Sequence, residues 1–546
     1  MEITSILNIG YWILVIGYWL SDIGYWILER SKGAERTCAA GGGANVSCCT
    51  CVSRGVSRRA FLGGVALGSS ALGGVSWEAL ARARAGMKEE FRRETLVVKP
   101  VLTYATYEPK HQTSWRHWGG IRTPADVTQE TARLKGELAE LQKSADFPVR
   151  ILPLSAVSHA DQFEELRKEE AADVVLVYAS GGWTDLLEAA SSLADHSIFF
   201  VRYRSGPVYL WYEIIHPRFL REHTDQFAKK NIDHRDVVVD DQNEILWRLR
   251  ALAGLKNTVG SRIVAVGGPG GWAAPQAPEL ARQRWNLDIQ TVTYDELGVL
   301  IKAARKDPKA IDRSCQRTSD YLKDGDVSLE TERKFVEDCF LLEEVFRGLL
   351  ARFDARAFTI DECMSTIMPA SETTACLPLS TLNDAGYIAF CESDFVVVPS
   401  GILLASISGR PPFLHNPTFP HKGMITLAHC TAPRRMDGVS LEPARIVTHY
   451  ESDYGAAPKV EMREGQLVTI INPDFKAERW LGLRAKIREA PFKPICRSQI
   501  DVELEADAAT VTEEMRGFHW MLVYGDYLNE VGYAMKKTDI QWKSLS

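Results

Sequence analysis

The sequence predicts an α/β protein: two N-terminal doubly wound α/β domains followed by a β-rich α+β C-terminal domain. Three observations support this. Apolar β-type runs alternate with helical stretches from residue 95, a second β–loop–α–β unit opens at residue 262, and short β-type runs dominate after residue 353. We therefore predict a leader over residues 1–86 and domains over residues 87–258, 259–352 and 353–546, of which the last carries the catalytic residues.

The leader begins with a repeat. The tetrapeptide IGYW occurs at 9–12, 16–19 and 23–26, a strict spacing of seven residues. This apolar region is short for a membrane span, and each glycine costs a helix about 1 kcal/mol. We favour a start codon assigned too early, with repetitive upstream DNA translated as protein. Because no methionine lies between Met1 and Met87, the true start would then use a non-ATG codon.

Residues 54–86 have the order of a twin-arginine export signal. Arg58 and Arg59 precede the weakly apolar run 61–75, and alternating alanines over 79–85 offer small-residue cleavage sites. The alternative is a glycine-rich loop beside two surface arginines. We predict recognition by the twin-arginine translocase, export in the folded state, and a periplasmic or extracellular location.

The chain as a whole has the composition of an ordinary globular protein. Of its 546 residues, 45% are hydrophobic and 25% are charged, and the formal net charge is −7. A negative net charge argues against a nucleic-acid partner. Seven cysteines follow the leader: Cys315, Cys339, Cys363, Cys376, Cys391, Cys430 and Cys496. None of these seven forms a C-x-x-C pair, so we interpret most of them as small buried apolar residues.

The two N-terminal domains show the alternation of strands and helices. The first has β-type runs at 96–102, 149–152, 173–178, 197–201 and 236–239, and helical stretches at 126–143 and 242–252. The second has IVAVGG, then PGGW, a helix from Pro278, a strand at 288–292, and a helical connector over 304–350. Its glycines do not spell G-x-G-x-x-G, which favours a tight turn at a sheet edge over a dinucleotide site.

Two carboxylates adjoin an apolar run in the C-terminal domain. Its β-type runs lie at 358–360, 388–391, 395–398, 424–428, 446–448 and 467–470. In the segment IAFCESDFVVVPSGILL, a continuous strand would point Glu392 and Asp394 to the same face. Carboxylates beside apolar residues are costly unless they are paired, hydrogen-bonded or bound to a metal. The alternative is the solvent-exposed end of a strand.

Histidines are concentrated in the same domain. The segment LHNPTFPHKGMITLAHC contains His415, His421 and His429. Histidine is the commonest neutral metal ligand, although we interpret His421 as an ordinary loop residue. In RGFHWMLVYGDYLNEVGYAMK, His519 begins an apolar strand that leads to Gly525 and a helix, where it is either a metal ligand or a core histidine.

These segments resemble a known family. The tail GFHWMLVYGDYLNEVGYAM is similar to the end of L-fucose isomerase, where a metal-binding histidine starts a strand followed by glycine and a helix. FCESDFVVVPSGILLASISGRPP is similar to the segment of that enzyme in which an E-x-D strand end supplies a metal-binding, proton-moving aspartate. LHNPTFPHKGMITLAHCTAP resembles a histidine-bearing stretch of L-arabinose isomerase. The resemblance extends in organisation from residue 95 to the C-terminus.

The resemblance implies a site and a reaction. In that family a divalent metal, usually Mn²⁺, bridges two oxygens of the open-chain sugar, while carboxylates move a proton between C1 and C2 through an enediol. By resemblance, Asp394 is the metal-binding acid and base, and His519 is the metal-binding histidine. Glu372 is the nearest candidate for the second carboxylate, with residues 374–376 or Glu392 as alternatives, and His415 is an extra candidate ligand.

The expected function is an exported, metal-dependent aldose–ketose isomerase that acts on a sugar or sugar acid, and the resemblance implies a homo-oligomer. The alternative is a non-catalytic exported sugar-binding protein, because tandem βα domains also occur in periplasmic binding proteins. A nucleotide-dependent oxidoreductase is disfavoured by the missing G-x-G-x-x-G. Export after folding would let Mn²⁺ bind before the chain meets competing Zn²⁺ and Cu²⁺.

Overall fold

A computed structural model of the protein describes residues 76–85, 93–116, 118–182, 184–210 and 232–546. In this part of the chain, two parallel sheets precede a large, mostly antiparallel sheet, and a small sheet lies beside them. The chain is therefore a mixed α/β protein, as the sequence predicts. None of the described helices combines the length and apolar composition that crossing a bilayer requires.

The strands are β1 Leu96–Thr103, β2 Val149–Ile151, β3 Ser155–Val157, β4 Val174–Ala179, β5 His196–Val201, β6 Val237–Val239, β7 Arg262–Val266, β8 Asp288–Val292, β9 Val327–Leu329, β10 Ala357–Ile360, β11 Ile388–Cys391, β12 Phe413–Pro417, β13 Met424–His429, β14 Ala444–Val447, β15 Ala457–Val460, β16 Leu467–Pro473, β17 Arg479–Glu489, β18 Ser498–Leu504, β19 Trp520–Tyr524 and β20 Gln541–Leu545.

The α-helices are α1 Trp77–Ala85, α2 Pro124–Ser144, α3 Phe163–Leu166, α4 Thr184–Ser191, α5 Gln242–Lys256, α6 Ala277–Trp285, α7 Tyr294–Ala304, α8 Pro308–Leu322, α9 Arg333–Phe353, α10 Met368–Ser371, α11 Cys376–Asp384, α12 Val398–Ser408, α13 Ala508–Glu514 and α14 Leu528–Lys536. A π-helical turn spans Cys363–Ile367, and short 3₁₀ turns span Ala160–Gln162 and His234–Asp236.

The first sheet is parallel and is covered by helices on both faces. Its order is β2-β1-β4-β5-β6, and β3 also pairs with β1. Along β4, Leu176 packs on the side of α2 and α5, whereas Val175 and Val177 pack on the side of α4. Alternate residues of a strand point to opposite faces, so an uninterrupted apolar strand suits a sheet that is buried on both sides.

The second parallel sheet has the order β11-β10-β7-β8. Ile263 and Ala265 of β7 face a core that includes α6 and α12, and Val264 and Val266 face a core that includes α7 and α9. Strands β10 and β11 pair with this sheet, although the sequence analysis placed them beyond residue 353 in the C-terminal domain. Their apolar runs are too short to reveal from the sequence which sheet they join.

Helix α1 belongs to the folded body, in contrast to the prediction that residues 1–86 stand outside it. Trp77 and Leu80 are buried in the core shared with α9. The Trp77 indole N–H donates to Asp307 at 3.0 Å. The predicted cleavage sites over 79–85 therefore lie within a packed helix. The repeat, Arg58, Arg59 and the apolar run 61–75 lie outside the described residues.

The third sheet has the order β16-β19-β12-β13-β18-β17-β20. Because β16 also pairs with β17, six of its strands close into a ring. Apolar residues from alternate positions fill its core, including Leu427, Ile470 and Leu522. Strand β19 lies between β16 and β12, and it therefore brings the end of the chain next to β12, which lies more than a hundred residues earlier.

Candidate metal centre

Two acidic residues lie at the carboxyl ends of adjacent strands in the second parallel sheet. Asp361 directly follows β10 and Glu392 directly follows β11. The strands are paired in parallel, with Ile360 opposite Cys391. Ligand sites in open α/β sheets form outside the carboxyl ends of the strands, which makes this edge the expected place for chemistry.

The chain turns sharply at Glu392. Glu392 and Ser393 have φ values of 67° and 40°, a left-handed conformation that costs a non-glycine residue about 1–2 kcal/mol. The Ser393 hydroxyl donates to the Gly268 carbonyl at 2.8 Å, and the Gly270 N–H donates to the Ser393 carbonyl at 3.1 Å. Instead of the predicted strand over 395–398, the chain continues through a turn into α12.

The glycine-rich loop after β7 supports this turn. Gly267 and Gly268 have φ values of 81° and 101°, which form the tight turn that the sequence predicts. However, β7 lies between β10 and β8 and is not at a sheet edge. The loop carries Trp272, whose indole N–H donates to Glu392 Oε2 at 3.0 Å. The glycines therefore serve to position an aromatic side chain over Glu392.

Two histidines from the third sheet face Glu392. His429 is the last residue of β13, and His519 immediately precedes β19. His519 Nε2 lies 3.2 Å from Glu392 Oε2, and His429 Nε2 lies 3.5 Å from Glu392 Oε1. One ligand atom of each residue lies within 4.8 Å of the others. We call Glu392, His429 and His519 the carboxylate–histidine centre.

The donor atoms of this centre fit a divalent ion. The Nε2 atoms of His429 and His519 are buried and have no well-formed hydrogen bond among the described residues, although they lie 3.5 Å and 3.2 Å from the Glu392 carboxylate oxygens. Leaving a buried polar group unpaired costs about 1–3 kcal/mol. Coordination of one ion by both nitrogens and the carboxylate removes that cost, and this donor set suits Mn²⁺, Fe²⁺ or Zn²⁺.

Asp394 holds His519 instead of joining the three donors. Asp394 is fully buried, its Oδ2 lies 2.8 Å from His519 Nδ1, and its Oδ1 accepts the Val396 N–H at 3.1 Å. A carboxylate that accepts the Nδ1 proton fixes the ring and directs Nε2 toward an ion. Asp394, which the resemblance predicts to be a metal ligand, therefore contacts His519 Nδ1 and does not join the group of converging donor atoms. Glu392 belongs to that group instead.

No protein-family model and no curated protein matches the chain. The resemblance to L-fucose isomerase and L-arabinose isomerase therefore stays a prediction. The function proposed below rests on the geometry of the site.

Glu372, the predicted second carboxylate, lies apart from the centre. Its side chain is 60% exposed and is ion-paired with Arg305, and it does not line the cavity described below. Glu372 follows α10 in a left-handed conformation with φ of 52°. Thr374, in the alternative segment 374–376, donates its hydroxyl to the Ala456 carbonyl at 2.8 Å, so its side chain has a structural role.

His415 and His421 do not join the donors. His415 is fully buried on β12. Its Nδ1 lies 3.0 Å from the Phe413 carbonyl oxygen, and burial lowers its pKa to about 3, so the ring is neutral. His421 is exposed, with Nδ1 3.0 Å from the Phe419 carbonyl oxygen, as an ordinary loop histidine.

The sequence reasoning missed the functional positions of Asp361 and His429. Asp361 ends the apolar run FTI in the same way that Glu392 ends IAFC. Two β-type runs that each end in an acid are a usable signal when the strands are neighbours. His429 ends ITLA and was noted only as one of three histidines, because its partners are 37 residues earlier and 90 residues later and the sequence does not show that proximity.

The centre lies in the wall of a cavity of about 670 Å³. Asp361, Glu392, His429, Trp272 and Phe518 line this end of the cavity. The Trp272 and Phe518 rings stack with centroids 5.0 Å apart and planes 11° apart, and about half of each side chain is exposed. This volume lies within the range of about 300–1,000 Å³ that is usual for small-molecule sites.

Glu392 and Asp361, which both line the cavity, have different electrostatic environments. Burial alone would raise the pKa of Glu392, but its interactions with His429 and His519 outweigh burial and hold that pKa below its usual range. Burial raises the pKa of Asp361, and the negative charges of Glu362 and Glu392 raise it further. Glu392 is therefore the permanent anion, and Asp361 is the group more ready to hold a proton.

We expect metal binding to release one proton from His519 near neutral pH. Burial lowers the pKa of His519, but the hydrogen bond to Asp394 and the interaction with Glu392 outweigh it and raise the pKa to about 9. The ring is protonated at pH 7 without an ion, whereas a ligating Nε2 must be deprotonated. Affinity for Mn²⁺ therefore rises with pH up to about pH 9. Calorimetry in buffers of different ionisation enthalpy measures the released proton, and a pH-independent affinity would contradict the expectation.

Replacing Asp394 by asparagine is expected to weaken Mn²⁺ binding by about 10–100-fold, the usual effect of losing the partner of a ligating histidine. The two oxygens of Asp394 accept separately, one from His519 and one from the Val396 N–H, whereas asparagine has only one acceptor oxygen. The measurement is a Mn²⁺ titration of the folded variant. Asp236→Asn is a matched control, because Asp236 is also buried but bonds Tyr533 and Lys537. Equal losses in both variants would indicate a general loss of stability instead.

Proposed function

We propose that the protein is a metal-dependent aldose–ketose isomerase that acts on a sugar or sugar acid. One observation carries the proposal: the donor atoms of Glu392, His429 and His519 converge beside Asp361 in the wall of a sugar-sized cavity. The ion would be Mn²⁺, since carboxylate and imidazole donors suit it. A divalent ion supplies polarisation of the sugar carbonyl, which makes the neighbouring C–H more acidic.

Within this proposal Asp361 moves the proton. A general base must lie in the cavity, must be unpaired with a cation, and must have a pKa closer to the working pH than a surface carboxylate has. Asp361 lines the cavity, and burial raises its pKa. The carboxylate would take the proton from C2 of the open-chain aldose and return it to C1, while the proton of the C2 hydroxyl passes to O1 to leave a C2 carbonyl and a C1 hydroxyl.

The stacked rings of Trp272 and Phe518 would bind the apolar face of the sugar. Their indole and phenyl faces are exposed beside Glu392, and aromatic faces provide apolar contact area with little loss of side-chain entropy. The polar side chains of Asn416, Thr418 and Glu451 also line the cavity and offer hydrogen-bond partners for hydroxyl groups. These residues would orient the sugar so that its C1–C2 end meets the ion and Asp361.

The wider arrangement agrees with the proposal. The two parallel sheets and the C-terminal antiparallel sheet support the α/β character that the resemblance implies. Export by the twin-arginine translocase and assembly into a homo-oligomer are parts of the same proposal.

The test uses the full chain loaded with Mn²⁺, because α1 packs in the body and a start at Met87 would remove it. A panel of aldoses and uronic acids, whose C1 is an aldehyde, is incubated with the protein in D₂O. We expect NMR to show the ketose product or deuterium bound to carbon at C2, dependent on Mn²⁺ and absent in Asp361→Asn. A sugar that binds without exchange or ketose formation would favour the sugar-binding protein. If no member of the panel binds or reacts, both functions fail for those sugar classes.

A further inference from the structure

A second group of donors, rich in sulfur, lines another part of the same cavity. Cys376 is the first residue of α11, Cys430 follows β13, and His449 follows β14. One ligand atom of each lies within 4.8 Å of the others, and all three residues are buried. Cys496 packs against Cys376 and Cys430. We call Cys376, Cys430, His449 and Cys496 the thiol cluster; all four line the cavity.

Apolar packing does not account for the thiol cluster. His449 is only 6% exposed, and its Nδ1 has no hydrogen-bond partner among the described residues. The three cysteines are free thiols. An unpaired buried ring nitrogen costs about 1–3 kcal/mol, so the sequence-based interpretation of these cysteines as small apolar residues leaves His449 unexplained. Coordination of one ion by the imidazole and the sulfurs explains all four residues together.

The donor set indicates the class of ion. Three sulfurs and one imidazole form a Cys₃His set, which binds Zn²⁺ tetrahedrally at about 2.3 Å for each sulfur. Ligand atoms on a tetrahedron of that size lie about 3–4 Å apart. The ligand atoms of Cys376, Cys430 and His449 lie within 4.8 Å of one another, and Cys496, which packs against the two cysteines without joining that group, is the candidate for the fourth ligand. Cys376 also begins a nine-residue helix, whose N-terminal partial charge stabilises a thiolate. Oxygen-preferring Mn²⁺ is a poor match for these sulfurs.

We propose that the thiol cluster binds a thiophilic divalent ion of the zinc type, separately from the carboxylate–histidine centre. The ion joins the start of α11, the end of β13 and the segments that carry His449 and Cys496, and so fixes one wall of the cavity. His429 and Cys430 are consecutive residues, so one strand end supplies a ligand to each site. The proposal does not depend on isomerase activity.

The test is a Co²⁺ titration of the full chain, purified under reducing conditions and freed of metal. Co²⁺ reports sulfur ligands through thiolate-to-metal charge-transfer bands and tetrahedral geometry through its d–d bands. We expect one equivalent of Co²⁺ per chain to give both sets of bands and one equivalent of Zn²⁺ to abolish them. A folded protein that binds Co²⁺ without charge-transfer bands overturns the proposal, as does a disulfide within the cluster in the reduced preparation.

Variants separate the two sites. Cys376→Ser is expected to weaken the charge-transfer bands, and His449→Ala is expected to change the d–d bands. Cys315→Ser is the matched control, because Cys315 lies on α8 outside the cluster. Glu392→Gln should keep the charge-transfer bands, since Glu392 is not a member of the thiol cluster; loss of these bands in this variant would contradict two separate sites. If Cys376→Ser does not fold, the spectra of the unmodified chain and of His449→Ala decide the question.

Discussion

Replacing Glu392 by glutamine is expected to lower the rate of the proposed isomerase reaction by at least ~10³-fold, since the variant would lose both the ion's chemistry and its placement. Glu392 faces His429 and His519 and is the anionic donor of the carboxylate–histidine centre. Its pKa is held below the usual range, so the carboxylate is charged at every working pH. Glutamine keeps the shape and the Trp272 contact but removes the charge that an ion needs.

Two measurements check this expectation, a Mn²⁺ titration and the rate of ketose formation. Glu372→Gln is the matched control, because Glu372 is exposed and pairs with Arg305 at the surface. Its loss is expected to change stability by less than about 1 kcal/mol and to leave Mn²⁺ affinity unchanged. If Glu372→Gln lost the ion while Glu392→Gln kept it, the assignment of the centre would be wrong. Glu372, the second carboxylate that the resemblance implies, would then be the metal ligand.

Replacing Glu343 by alanine is expected to lower the free energy of unfolding by about 2–4 kcal/mol, because it leaves two arginines without their buried partner. Glu343 is fully buried in α9. Its carboxylate accepts hydrogen bonds at 2.8 Å from Arg317, Arg347 and the Thr381 hydroxyl. It thereby joins α8, α9 and α11, and α11 begins at Cys376 in the cavity wall.

Chemical denaturation of the variant measures the change. Glu337→Ala on the same helix is the control, since Glu337 pairs only with the exposed Arg333, and its loss is expected to cost less than about 0.5 kcal/mol. Burial raises the pKa of Glu343, but Arg317 and Arg347 outweigh burial and lower it. The stabilisation is therefore present at neutral pH and is lost as acid protonates the carboxyl group. Equal midpoints for both variants at pH 7 would contradict the expectation.

The alternation of strands and helices was predictable because apolar runs and helical stretches are local patterns. β1, β4, β5, β7 and β8 were all located within one or two residues of their observed bounds. Which sheet a short strand joins is a long-range property, so the assignment of β10 and β11 could not follow from their sequences alone.

The site was predictable only in part, because the chain turns sharply at Glu392 and Ser393. The sequence singled out Glu392, Asp394 and His519 but treated the first two as residues on one strand face. The strand ends at Cys391, and Glu392 and Ser393 have positive φ values. The side chains beyond Cys391 therefore no longer alternate between the two faces of a strand. Glu392 thus turns toward the cavity while Asp394 turns toward His519 Nδ1.

The position of β19 within the ring of strands has a consequence for the timing of metal capture. His519 and Asp394 are 125 residues apart in sequence, and they meet only when β19 has inserted between β16 and β12. Pairings between distant segments form slowly because chain closure precedes the contacts that stabilise it. An ion therefore finds its complete set of donors at the end of folding rather than during synthesis. An ion bound at the carboxylate–histidine centre would consequently report that a given molecule has finished folding.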